Sequence, residues 1–195
     1  MAQDQIKQTE LVVIGGSSGS LEVVLGILRV LPEHYPVPIL LVIHRSTDQE
    51  SLLHEVLSLK SNMAVREVEE KEEIRPSTVY VAPADFHVLI EKDKTFSLDY
   101  SEKISYSRPS IDVSFISAAE VFQEHLMGIL LSGANDDGAQ GIQEIKKQGG
   151  YCVIQDPADA VVDYMPAQAL KRVQPDAVLS GRAISDFLNI IYTAH

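Results

Sequence analysis

The chain has 195 residues, 45% of them hydrophobic, and a net charge of −12. That is enough for one domain with a sizeable core, and the wrong sign for a face that binds nucleic-acid phosphates or an anionic membrane. A single cysteine, Cys152, excludes a disulfide framework or a cysteine-based metal site within one chain.

Residues 1–9 are polar, lack the apolar core of a signal peptide, and read as a disordered leader. Residues 10–195 read as a single domain. Leu11 to Ile14 is a short apolar, β-branched run, the pattern of a buried strand. It breaks into Gly15-Gly-Ser-Ser-Gly19, after which Leu21, Val24, Leu25, Leu28 and Leu31 fall at helical spacing, up to Pro32. Ile39 to Ile43 is a second buried strand, ending at His44-Arg45-Ser46. Its apolar neighbourhood, from Val37 and interrupted by Pro38, is far short of the roughly 20 residues that span a bilayer. A cytoplasmic location is the expectation. Leu52, Leu53, Val56 and Leu57 predict a helix starting near Thr47 or Asp48.

Ala64–Val68 and Thr78–Ala82 predict strands, with the acidic run Glu67–Glu73 between them as a solvated loop. Phe86–Glu91 and Thr95–Asp99 predict a hairpin, the one break in the βα rhythm. Ser110 is a good N-cap for a helix with the stripe Ile111, Phe115, Ala118, Ala119, Phe122 and Leu126. Met127–Leu131 is another buried strand, followed by the loop Ala134-Asn-Asp-Asp-Gly138 and a helix closed by Gly149-Gly150. Tyr151–Gln155 and Asp176–Leu179 predict strands; Met165–Arg172 and Ile184–Tyr192 predict helices. The alternation gives the expected fold class: α/β, three layers, a doubly wound and mostly parallel sheet with one antiparallel hairpin, Rossmann-like.

Gly15-Gly-Ser17-Ser-Gly19 fits G-x-S-x-G, a turn that exposes a serine between strand and helix. Two other readings share that geometry: a structural βα turn capped by Ser17 or Ser18, and a phosphate cradle at a helix N-terminus. A dinucleotide fingerprint is incomplete, because Ser17 and Ser20 stand where later glycines belong, and no Gly-Lys-Ser/Thr of a P-loop occurs. Three strands end at chemistry-bearing residues: Ser17, His44, and the loop with Asp136 and Asp137. If the strands are parallel, these emerge at one sheet edge, where α/β folds bind ligands. A serine, a histidine base and an orienting carboxylate are the parts of a hydrolytic triad. Their order, Ser…His…Asp, differs from the Ser…Asp…His of α/β-hydrolases.

Six ordered blocks carry a family resemblance: Ile14–Gly19, Val42-Ile-His44, Tyr80–Asp85 with His87, Ser107-Arg-Pro-Ser-Ile-Asp112, Leu131–Ala139 and Val162–Pro166. Across nearly its whole length the chain resembles the catalytic domain of the chemotaxis protein-glutamate methylesterases, the CheB family. The resemblance implies Ser17 as nucleophile, His44 as general base and Asp137, rather than Asp136, as the acid. It implies an oxyanion site at the backbone of Ser18 and Ala134, and Arg108 at the rim. Ser110 and Asp112 read as a helix cap and a first-turn charge. The implied reaction removes methyl esters from glutamyl side chains of a receptor-like protein, releasing methanol, with glutamine deamidation as a related activity. No metal or organic cofactor is implied. The implied partners are a methyl-accepting receptor-like protein and, because no receiver domain precedes the first strand, a separate receiver or methyltransferase. The alternatives are a non-catalytic binding module of the same fold and a Rossmann-like phosphate or nucleotide binder. Where the family usually has alanine, threonine, glycine and methionine, this chain has Gly16, Ser18, Ser20 and Ala134.

Overall fold

The computed structural model describes residues 6–44, 50–104 and 106–193, with the side chains of 50–52 and 190–193 outside that description. The strands are β1 (Leu11–Gly16), β2 (Ile39–Ile43), β3 (Ala64–Glu67), β4 (Thr78–Val81), β5 (His87–Ile90), β6 (Phe96–Asp99), β7 (Leu126–Leu130), β8 (Tyr151–Gln155) and β9 (Ala177–Leu179). The helices are α1 (Leu21–Val30), α2 (Glu50–Lys60), α3 (Ile111–Phe122), α4 (Ala139–Lys147), α5 (Tyr164–Arg172) and α6 (Gly181–Thr193). Seven strands form one sheet in the order β3-β4-β2-β1-β7-β8-β9. Every pairing within it is parallel. β5 and β6 form a separate antiparallel hairpin.

The period of two in β1 explains the layers. Val12 and Ile14 face a core with Ile27 and Leu28 of α1 and Ile184 and Leu188 of α6. Leu11 and Val13 face the opposite core, with Ile111 and Phe115 of α3, Ile142 and Ile145 of α4, and Val88 of the hairpin. Both faces are covered, so the central strands can be apolar throughout. Gly128 in β7 lets α4 come close: a Cβ there would stand 2.5 Å from Ile145 Cδ1. The chain winds outward from β1 in both directions, to β2 on one side and β7 on the other. This puts a crevice at the carboxyl ends of these three strands.

Three expectations change. β1 continues through Gly16, because Leu131 N–H donates to the Gly15 carbonyl and His44 N–H to that of Gly16, extending the ladder beyond Ile14. Residues 6–9 are not a free leader: Ile6 and Thr9 are buried, and the Gln8 carbonyl lies 3.0 Å from His125 Nδ1. The acidic run is not merely solvated. Lys71 N–H donates to the Phe96 carbonyl (2.9 Å), Phe96 N–H to the Glu72 carbonyl (3.0 Å) and Leu98 N–H to Glu70 Oε2 (2.6 Å). It closes an open hairpin edge whose backbone groups would otherwise lack partners. The expected helix start at Thr47 or Asp48 lies outside the described residues. Among the described residues, no helix is long and apolar enough to cross a membrane.

Candidate active site

Strand register brings the first two residues together. Gly16 pairs with Ile43, and the His44 N–H donates to the Gly16 carbonyl at 3.1 Å. The next residue of β1's path, Ser17, therefore runs beside His44. On the other side Ser17 N–H donates to the Ser132 carbonyl at 2.9 Å, which continues the β1–β7 ladder. A Cβ on Gly133 would lie 3.1 Å from Ser17 Cβ, so the loop after β7 lies against the Gly15–Gly19 turn.

Ser132 ties that turn down. Its Oγ is 2.7 Å from the Ser18 carbonyl and 3.1 Å from that of Val162, and it accepts from Val162 N–H at 2.9 Å. Its own N–H donates to Gln155 Oε1. The N-cap of α1 is Ser20, not Ser17 or Ser18; Ser20 Oγ donates back to the Ser17 carbonyl at 2.7 Å. Within the turn, the amides of Ser17 and Ser20 are committed to the carbonyls of Ser132 and Ser17. The N–H groups of Ser18 and Ala134 take no partner among the described residues, and both residues are exposed. They are free to donate to an oxyanion.

His44 Nε2 lies 2.7 Å from Asp137 Oδ2. Asp137 is fully buried and takes three further hydrogen bonds: Ser110 Oγ to Oδ1 (2.9 Å), Ile111 N–H to Oδ2 (2.7 Å) and Asp112 N–H to Oδ1 (2.9 Å). Burial pushes this carboxyl up, but the bonds from His44 and from the Asp112 and Ile111 amides outweigh it and hold it below its usual value. An ionised Asp137 accepts at Nε2, so Nε2 carries the proton and Nδ1 is the basic nitrogen. The template triad places its carboxylate on Nδ1 instead. Here the ring is used the other way round. Asp136 is exposed and stands 3.5 Å from Arg172.

Ser110 has two roles at once. Its Oγ accepts from Val113 N–H at 3.5 Å, a weak cap, and donates to Asp137. Asp112 Oδ1 accepts from Gly141 N–H at 2.6 Å, joining the starts of α3 and α4. Burial pushes its carboxyl up to about 6, against the lowering by Gly141 N–H and with a further push from the charge of Asp137. Arg108 is spent within its own loop. Nε and Nη2 donate to Asp85 Oδ1 (3.1 and 2.7 Å), and Nη1 to the carbonyls of Tyr100 (3.2 Å) and Ser101 (2.7 Å). Its guanidinium stacks 3.9 Å from the Tyr100 ring centroid. His87, fully buried, accepts from Ser110 N–H at Nδ1 (3.1 Å) and has Nε2 3.0 Å from the Glu102 carbonyl, which pins the same loop. One contact escapes sequence reasoning: Ser107 Oγ lies 3.3 Å from His44 Nδ1. Among the described residues, no group of three His, Cys, Asp or Glu is placed to hold a metal.

Two departures at the turn are one exchange. A Cβ at Gly16 would stand 2.6 Å from Ser20 Cβ and 2.8 Å from Ser20 Oγ. Alanine at 16 would suit glycine at 20; this chain has glycine at 16 and serine at 20.

A family model for the CheB methylesterase matches residues 12–188. A Leptospira interrogans protein described provisionally as a protein-glutamate methylesterase/protein-glutamine glutaminase is 44% identical over 91% of this chain and 92% of its own. A protein-glutamate methylesterase/protein-glutamine glutaminase of Carboxydothermus hydrogenoformans is 36% identical over 91% of this chain, which spans about half (54%) of that relative's length. The crystal structure of the Thermotoga maritima CheB methylesterase catalytic domain superposes with a TM-score of 0.88 at 33% identity, covering 93% of this chain and 97% of that one. Matched over most of its length in sequence and in fold, the chain belongs to the CheB methylesterase family.

Proposed function

We propose that the protein hydrolyses glutamyl γ-methyl esters in a receptor-like protein, with Ser17 as nucleophile, His44 as general base and Asp137 as orienting carboxylate. The observation that carries this reading is the His44–Asp137 contact at 2.7 Å, one strand position from Ser17. Asp137 fixes the proton on Nε2 and stabilises the imidazolium. Nδ1 takes the Ser17 proton as Oγ attacks the ester carbonyl. The tetrahedral oxyanion accepts from the N–H groups of Ser18 and Ala134, each such donor being worth roughly 3 kcal/mol. Nδ1–H then protonates the departing methoxide. Water, giving its proton to Nδ1, hydrolyses the glutamyl-enzyme and restores Ser17.

The relatives' names couple methylesterase and glutaminase, and the same acyl chemistry serves a primary amide, with ammonia leaving in place of methanol. The reading includes that second activity, a cytoplasmic setting, and a separate receiver or methyltransferase as partner. Arg108 serves the site from its loop rather than as a free cation at the rim. The test is methanol release from a methylated chemoreceptor fragment. Ser17→Ala is expected to lose three or more orders of magnitude in kcat. Wild-type turnover in that variant would remove Ser17 from the mechanism.

A further inference from the structure

The basic nitrogen of His44 has a hydroxyl beside it that belongs to neither the nucleophile nor the carboxylate. Ser107 Oγ is 3.3 Å from Nδ1 and has no other partner among the described residues, while Ser17 Oγ makes no hydrogen bond there. The loop presenting Ser107 is braced on both sides. Ser107 N–H donates to the Ile104 carbonyl (2.9 Å) and Ile104 N–H to that of Ser107 (3.2 Å). The next residue, Arg108, is bound to Asp85 and to two loop carbonyls. A side chain held this firmly against a catalytic ring restricts that ring's motion.

We infer that Ser107 is a positioning residue of this active site, holding the His44 ring from its Nδ1 side while Asp137 holds it from Nε2. This rests on the Ser17–His44–Asp137 reading. In the resting enzyme Ser107 O–H donates to the Nδ1 lone pair. When the ester binds, Ser17 O–H takes that place. Its proton moves to Nδ1 as the Oγ–carbonyl carbon bond forms. The imidazolium then carries N–H at both nitrogens. Nε2–H stays on Asp137, and Nδ1–H is shared between the methoxide oxygen and the Ser107 hydroxyl, now turned to accept. The proton passes to methoxide, the carbon–methoxide bond breaks, and the ring returns to neutral; water repeats the cycle. Ser107 keeps its own proton throughout. Its contribution is to a charged ring that exists only after proton transfer, so its loss falls on kcat and spares KM.

The experiment is steady-state methanol release from a chemoreceptor fragment carrying tritiated methyl esters, with the full chain and with Ser107→Ala, Ser107→Thr and Ser107→Val. A hydrogen bond to a charged group at this length is worth about tenfold in kcat. Ala and Val are expected to lose about that factor, with KM within about twofold. Thr keeps the hydroxyl and is expected to recover most of the rate. Melting temperatures should stay within about 2 °C of one another, because a half-exposed hydroxyl contributes little to folding. Thr and Val have the same shape, so their difference isolates the hydroxyl even if Ala disturbs the loop. Equal kcat for Thr and Val, or a loss confined to KM, would overturn the inference. A fluorophosphonate probe mapped by mass spectrometry separates this from the reading beneath it. Label on Ser17 in every variant supports the triad whatever Ser107 does. Label on Ser107 of the wild type overturns both.

Discussion

His44 Nε2 and Asp137 Oδ2 stand 2.7 Å apart, and the carboxylate that orients the ring is itself held by the first turn of α3. Ile111 and Asp112 offer it their N–H groups, and Ser110 its hydroxyl. A helix N-terminus supplies free donors and partial positive charge, so it stabilises a buried anion. The Asp137 carboxylate is therefore fixed by a helix 26 residues upstream of it in the chain, and the His44 ring is fixed by the carboxylate.

That arrangement makes Asp137→Asn a severe change despite its near-identical shape. All four groups around Asp137 are donors, and an amide must turn an NH2 toward two of them. If the NH2 faces His44, the ring proton is driven to Nδ1 and the base is lost. If it faces Ser110 and Asp112, the helix start loses an acceptor. Kcat is expected to fall by roughly three to four orders of magnitude. A drop in melting temperature should accompany it, since buried donors are left unpaired. Methanol release and a thermal melt check the two parts separately.

Asp112 gives a pH signature of the opposite sign. Its folded carboxyl is pushed up to about 6, above its unfolded value of 3.8, so the fold prefers it neutral. Between those values the folded state binds more protons than the unfolded one, and stability falls as pH rises. The cost is complete above about pH 6–7 and absent below about pH 4, of order 2–3 kcal/mol at neutral pH. Asp137, held low, works the other way: its contribution is present above its unfolded value and is lost as pH falls through its folded one. Asp112→Asn keeps an oxygen for Gly141 N–H and removes the charge. Urea unfolding should find the variant more stable than wild type at pH 7.5 and about equal at pH 4. A gap of the same size at both values would show that the charge of Asp112 is not its source.

Much of this architecture is legible in the chain. Ile39–Ile43 and Met127–Leu131 announce buried parallel strands, and parallel strands place Ser17, His44 and the Asp136–Asp137 loop at one edge. Period and composition carry that information locally. What they do not carry is who closes on whom. Ser110 and Asp112 read as capping residues because a cap needs only its own helix, whereas their second partners, Asp137 and Gly141, are 27 and 29 residues away. Arg108 reads as a cleft cation because nothing local reveals that Asp85 and two carbonyls take its donors. Ser107 opens the Ser107–Asp112 block, but nothing local ties it to His44; only the braced loop brings the two together. The acidic run reads as solvent-facing by charge, yet its backbone closes the hairpin, and backbone pairing leaves no mark in side-chain composition.

The exchange at positions 16 and 20 offers a test in which sequence and packing meet. Gly16→Ala alone places a methyl group 2.6 Å from Ser20 Cβ and 3.3 Å from Leu131 Cβ, in a buried turn. Overpacking of this kind costs about 1–3 kcal/mol. Ser20→Gly alone removes the hydrogen bond to the Ser17 carbonyl, at about 1 kcal/mol, and loosens the turn that presents Ser17. Together the two substitutions remove the collision that the first creates. The double variant should then be more stable than the sum of the singles by about 1 kcal/mol or more, the range expected for residues in contact. Its methylesterase rate should also lie closer to wild type than that of Gly16→Ala, because Ser17 returns to its register beside His44. Urea unfolding of the four proteins gives the coupling directly. Additive destabilisation would mean that Leu131, not Ser20, limits the space at position 16.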